Sequence, residues 1–217
     1  MIDTRRYYTA AEQWVDRILH WFAIATAVAA VAGLLMLALR HNDNLLSGSV
    51  LLYGLGLLGM LSCSALCNHD LSDRSRYTEL FRRLDHAAIL FMIAATYTPL
   101  ALVLMGGVWG WGLFAFVWTV ALTGIVIRLI TRGPLRPAVS IALYLLLGWS
   151  ILGVLEPLLA VAPLSVLVLL FCGGLLYSSG VLFFVWKRMP YHISIWHGFV
   201  LSAAGCHYAA ILFAVVL

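Results

Sequence analysis

The stretch LLSGSVLLYGLGLLGMLSCSALC, residues 45–67, runs for 23 residues without a charged side chain. Coiled as an α-helix it is about 35 Å long, enough to cross a bilayer core of about 30 Å. Six more runs of this kind follow from the same reading: Ile18–Leu39, Ala87–Met105, Val108–Ile127, Ala138–Leu155, Pro163–Trp186 and Ile193–Leu217. Polar or helix-breaking segments separate them. Arg40-His41-Asn42-Asp43-Asn44 is a polar turn and Asp70 to Arg83 a charged connection. Gly106-Gly107 makes a tight reversal, and Thr131-Arg132-Gly133-Pro134, Glu156-Pro157 and Lys187-Arg188-Met189-Pro190 end helices. The expectation is an all-α integral membrane protein, with residues 1–217 forming a single seven-helix domain.

Composition agrees. Of 217 residues 64% are apolar and 10% charged, and the mean hydropathy is +1.01. Soluble domains average about 45–50% apolar and about 25% charged residues. The formal net charge of +4 does not point to nucleic acid, because no basic face remains once the spans are set aside. No polar stretch is long enough for a catalytic domain outside the membrane. The first span is too long for the h-region of a cleaved signal peptide. Cys63, Cys67, Cys172 and Cys206 all fall within spans and read as packing residues, not as a disulfide framework. Gly54, Gly56 and Gly59 read as sites of close helix approach.

The basic residues orient the bundle. If seven helices alternate, Arg5, Arg6, Arg17, Arg74, Arg76, Arg82, Arg83, Arg128, Arg132, Arg136, Lys187 and Arg188 share one side. Of the 13 basic residues only Arg40 falls opposite. The positive-inside rule then puts the N-terminus in the cytoplasm and Leu217 outside.

Ionisable residues at the edges of apolar spans are costly to bury and therefore informative. Glu12, Asp16 and His20 are spaced four apart and form one stripe at the entry to the first span. Ser64, Asn68 and His69 end the second, Asp85 and His86 begin the third, and His192 and His197 begin the seventh. His207 lies ten residues beyond His197, about 15 Å deeper. All the span ends except that of His207 belong to the cytoplasmic side, so polar groups from four helices are expected at one depth. Imidazole with carboxylate is the ligand chemistry of zinc. Glu12 and Asp16 are also placed to cap the first helix, and the sequence leaves both roles open. Asp85, beside His86 and ahead of an apolar run, reads as a site residue. His41 reads as a loop residue.

Several of these segments resemble a known family. Arg83-Leu84-Asp85-His86-Ala87-Ala88-Ile89, running into Ile93-Ala94-Ala95-Thr96-Tyr97-Thr98-Pro99, is similar to the signature of the hemolysin III family. That family is the bacterial branch of the progestin and adipoQ receptor superfamily, which includes the adiponectin receptors. Glu12-x3-Asp16-x3-His20, Ser62-Cys63-Ser64-Ala65-Leu66, Leu143-Tyr144 with Gly148-Trp149, and Ile195-Trp196-His197-Gly198-Phe199-Val200 ending at His207 support the likeness. The resemblance implies seven helices, a cytoplasmic N-terminus, and a zinc site of three histidines near the cytoplasmic face, with a third-helix aspartate beside the activated water. It also implies a bacterial inner-membrane location and two kinds of activity, hydrolysis of lipid amides or a hemolytic, pore-like action. Asn68 and Ile193 stand where the family carries two of its three histidines. The expected ligands are therefore His197 with the offset His69 and His192, with Asp85 and Ser64 as catalytic groups. Membrane lipids and an amphipathic lipid substrate are the expected partners, and no protein partner is inferable. The alternatives are a pore or an ion- or lipid-homeostasis protein, using Glu12, Asp16, His20, His197 and His207 as a path, or a sensing receptor without catalysis.

The orientation has a direct test. A reporter active only in the cytoplasm should work when fused at the N-terminus or near Pro134, and be silent near Asn42 or after Leu217. The opposite pattern would remove the charge argument.

Overall fold

The computed structural model describes residues 9–70, 77–131 and 137–216. Seven helical segments are long and apolar enough to cross a membrane. They comprise α1 (Ala10–Leu39), α2 (Asn44–Asp70), α3 (Thr78–Pro99), α4 (Gly107–Ile130), α5 (Pro137–Gly148), α6 (Leu155–Val161), α7 (Leu164–Val185) and α8 (His192–Ile211). A wide π-type segment, Leu100–Met105, extends α3, and α5 and α6 form one span joined through a 3-10 turn at Ser150–Val154. No strand occurs among the described residues.

Two helices begin eight or nine residues before their apolar runs. Helix α1 starts at Ala10, not Ile18, because Thr9 and Glu12 form a capping box. The Thr9 hydroxyl accepts from the Glu12 N–H at 3.2 Å, and Glu12 Oε2 accepts from the Thr9 N–H at 2.8 Å, so orphan donors of the first turn are satisfied. The 30 residues of α1 span about 45 Å, longer than a hydrocarbon core of about 30 Å. Its first turns therefore lie at the membrane edge. Helix α3 starts at Thr78, not Ala87, which places Asp85 and His86 two turns inside a helix and not at its end.

The fifth span is also corrected. Glu156-Pro157 does not end it, because Pro157 lies in the first turn of α6, where a missing N–H costs nothing. The break comes earlier, after Gly148. Backbone groups freed inside a membrane need partners, and Tyr97 of α3 supplies them. Its hydroxyl donates to the Gly148 carbonyl at 2.7 Å and accepts from the Ile151 N–H at 3.0 Å. The reversal between the third and fourth spans is as tight as expected. Gly106 alone separates Met105 from α4, with φ of 59°, a value that favours glycine.

Helix α1 packs on α2 and α8, α2 on α3, α3 on α4, and α7 on α8. Lipid tails are as apolar as leucine, so close packing and polar contacts hold such helices together. A Cβ at Gly54 would overlap Val31, and one at Gly56 would overlap Ala95, so α2 touches both neighbours through missing side chains. Gly59 has no such neighbour. One stripe of α1 is buried along its whole length: Glu12, Asp16 and His20 first, then Ala23, Ala27, Val31, Leu34 and Ala38. A single helix face thus changes from polar to apolar as it enters the membrane.

Tyr97→Phe removes the shared hydroxyl and leaves the Gly148 carbonyl and Ile151 N–H without that partner inside the membrane. The expected loss is about 1–3 kcal/mol, read as a lower unfolding temperature in detergent. Unchanged stability would mean that the break is held by other contacts.

Candidate metal centre

The buried end of the α1 stripe meets α2, α3 and α8. Glu12 closes the entrance: its Oε1 accepts from the Tyr191 N–H at 2.8 Å, while its other oxygen holds the α1 cap. Tyr191 sits just before α8 with φ of 57°, a left-handed conformation that costs energy without glycine. Capping is the role the structure gives Glu12.

Asp16, one turn deeper, is not a cap. Its Oδ1 accepts from His197 Nδ1 at 2.6 Å. Its backbone carbonyl accepts from His20 Nδ1 at 2.8 Å, and its Oδ2 lies 3.3 Å from the same nitrogen. The two imidazoles meet edge to face, with centroids 4.5 Å apart. Their other nitrogens converge on one hydroxyl: Ser64 Oγ is 3.3 Å from His20 Nε2 and 3.5 Å from His197 Nε2. The Asp85 carboxylate accepts a hydrogen bond from Ser64 and lies within electrostatic reach of both rings. Four helices meet at one depth, as the spacing implied.

Asp16, His20 and His197 are all buried, and one ligand atom from each lies within 4.8 Å of the others. This group can hold a metal ion. Proton arithmetic tests the fit. A carbonyl and a carboxylate only accept, so each Nδ1 carries the hydrogen and each neutral Nε2 presents a lone pair. Ser64 has one hydrogen for two such nitrogens, and Asp85 adds further acceptors. With both rings neutral, the two carboxylates leave these residues at a charge of about −2. Electron pairs are in surplus, and a divalent cation suits such a donor set.

The other expected site residues fall elsewhere. His192 is buried at the start of α8 but stands outside the group. Five helical residues separate it from His197, about 140° of rotation, so it is corrected as a co-ligand. His69 lies on α2, and its side chain is outside the described residues. Asn68 donates to the Ser64 carbonyl at 3.0 Å. His86 faces the opposite side of α3, accepting from Arg128 Nε at 3.1 Å. His207 is seated on Gly173 and beside Tyr177, away from the cluster.

Sequence reasoning missed three residues. Arg128 is only 2% exposed, although it reads as an ordinary loop-side arginine. Tyr97, through its hydroxyl, and Tyr191, through its backbone N–H, act through hydrogen bonds to residues far along the chain. No local pattern signals these contacts.

Residues 8–208 match the family described as "Haemolysin-III related". The chain belongs to the haemolysin III family. It is 32% identical over 208 residues to the "Hemolysin-3 homolog" of Bacillus subtilis (strain 168), covering 95% of each chain. It is 31% identical over 213 residues to the "Hemolysin-3" of Bacillus cereus, covering 98% of this chain and 96% of that one. The human "Monocyte to macrophage differentiation factor" is 29% identical over 211 residues, 94% of this chain and 84% of its own. With seven apolar helices and bacterial relatives of this kind, this haemolysin III family member is an integral membrane protein of the bacterial inner membrane.

The geometry separates the histidines. His20→Ala or His197→Ala should remove a bound divalent metal from the purified protein, measured by elemental analysis, while His192→Ala should retain it. Loss of metal in His192→Ala alone would restore the expected family-like set.

Proposed function

We propose that this haemolysin III family protein is a metal-dependent hydrolase of lipid amides. The observation that carries the reading is the buried carboxylate–imidazole cluster at the wall of a lipid-accessible groove. That groove, of about 370 Å³, lies between α1, α2 and the start of α8, and Asp16 and His20 line it together with Trp21, Ile24 and Leu66. Mostly apolar walls suit an acyl chain, and the polar end suits a headgroup with one cleavable bond.

Zinc in such a set would act as a Lewis acid and lower the pKa of water to about 7. The chain's own residues supply the rest. Ser64 Oγ–H donates to the substrate carbonyl and to the negative charge that builds there. Asp85 accepts the proton of the attacking water and passes it to the leaving amine. Asp16 holds both imidazoles in place, and the walls of α1 and α8 keep bulk water from the scissile bond. The charge bias supports a position at the cytoplasmic leaflet for this end of the bundle.

Asp85→Asn keeps the shape of the side chain and removes the base. With zinc supplied, hydrolysis of a fluorogenic long-chain N-acyl amide should fall by about 10²–10⁴ while zinc content and unfolding temperature persist. Joint loss of metal and fold would make Asp85 structural. A zinc-loaded wild-type protein that cleaves no lipid amide would end the hydrolase reading. The name of the Bacillus cereus relative, "Hemolysin-3", supports a second reading, membrane permeabilisation, which dye release from reconstituted liposomes would reveal.

A further inference from the structure

Three kinds of atom in the cluster are candidate ligands: the carboxylate oxygens of Asp16, the Nδ1 atoms they face, and the Nε2 atoms on the far side of each ring. Hydrogen positions decide between them. His20 Nδ1 is 2.8 Å from the Asp16 backbone carbonyl, an oxygen that belongs to the preceding turn of the same helix and can only accept. A metal on that nitrogen would have to displace this bond. His197 Nδ1 is 2.6 Å from Asp16 Oδ1, so one carboxylate already serves both rings on their Nδ1 side. On the other side, both Nε2 atoms face Ser64 Oγ, whose single hydrogen is shared with the Asp85 carboxylate and can satisfy at most one of them. Metal-ligating histidines ordinarily donate their second ring N–H to a carboxylate or a carbonyl, which fixes tautomer and ring orientation. Both rings here already have that arrangement.

We propose that the metal ligands are Nε2 of His20 and Nε2 of His197, meeting at the Ser64 hydroxyl, and that Asp16 is the positioning residue holding both rings in the Nδ1–H form. This inference rests on the metal reading above and goes beyond it by naming the ligand atom of each ring and moving Asp16 out of the ligand set. It also explains why one carboxylate reaches two helices. A ligand needs to face only the ion, whereas a positioning group for two rings must lie between them, as Asp16 does.

The test is ¹⁵N solid-state NMR of histidine-labelled, full-length protein in phosphatidylcholine bilayers, before and after addition of zinc chloride, with His20→Gln and His197→Gln to assign the rings. Before zinc, both rings should show a protonated Nδ1 and a bare Nε2. After zinc, both Nε2 signals should move to metal-bound positions while Nδ1 stays protonated. Asp16→Asn keeps the backbone carbonyl that accepts from His20 Nδ1 but turns an amide N–H toward His197 Nδ1 in place of Oδ1, so the His197 ring should carry its hydrogen on Nε2. Zinc should then bind about 10–100-fold more weakly but still reach the wild-type stoichiometry at saturation. Zinc on Nδ1 of either ring would overturn the inference and leave the metal reading standing. So would an Asp16→Asn protein that folds yet loses zinc as completely as His197→Gln. If zinc moves no ring signal in the wild type, the metal reading fails and takes this inference with it. The wild-type spectra decide the ligand atoms even if Asp16→Asn does not fold.

Discussion

A carboxylate at the edge of an apolar bundle has to be paired before it can be buried. Asp16 is paired twice, once within its own helix and once with His197, 181 residues away. That requirement fixes the distance and rotation of α8 against α1. Glu12, one turn earlier, repeats the link through the Tyr191 N–H. Deeper in the membrane the same faces turn to small residues, Ala23 and Ala27 on α1 and Ala203 and Ala204 on α8, all buried. Small residues let backbones approach where burial from water provides no force. The first and last spans are therefore joined by polar contacts at one end and by close packing below. The groove beside the cluster is what remains open between them.

Hydropathy made the seven spans legible because it reports where a chain meets lipid. It does not report where a helix begins. Helix α1 gains eight residues over its apolar run through the Thr9–Glu12 box, and α3 gains nine ahead of Ala87. Both extensions matter, since they carry Asp16 and Asp85 into helical register. The break in the fifth span was invisible for the opposite reason. Its cause is the Tyr97 hydroxyl, about fifty residues earlier in the chain, and Gly148 alone gives a weak local signal. The site was half legible. The four-residue spacing of Glu12, Asp16 and His20 identified one buried face correctly, but not that Glu12 would cap while Asp16 would bridge. His192 was attractive as a neighbour of the position expected for a ligand, yet helical rotation carries it away from His197. Ligation is a property of angle as much as of depth.

Asp85 and His86 show how rotation divides labour on one helix. Adjacent residues differ by about 100°, so α3 presents Asp85 to the imidazoles and His86 to α4. On that second side Glu79 pairs with Arg82 and Arg83, at 3.3 and 3.2 Å, and lies 3.9 Å from Arg128. Arg128 also donates to His86 at 3.1 Å. A guanidinium is always charged and poorly tolerated when buried alone, so this arginine is committed to its own side of the helix. The consequence falls on the other side. With the buried cation engaged across α3, Asp16 and Asp85 draw their compensation from within the groove, as a proton on Asp85, as a cation, or as protons on His20 and His197. Protons on the rings would leave the Nε2 atoms as donors facing one hydroxyl and a carboxylate. A divalent ion would instead use the lone pairs that Asp16 has already turned toward it, and would neutralise about two charges in a single step. The separation of charge by α3 thus leaves this end of the bundle with a donor set that can hold a metal ion.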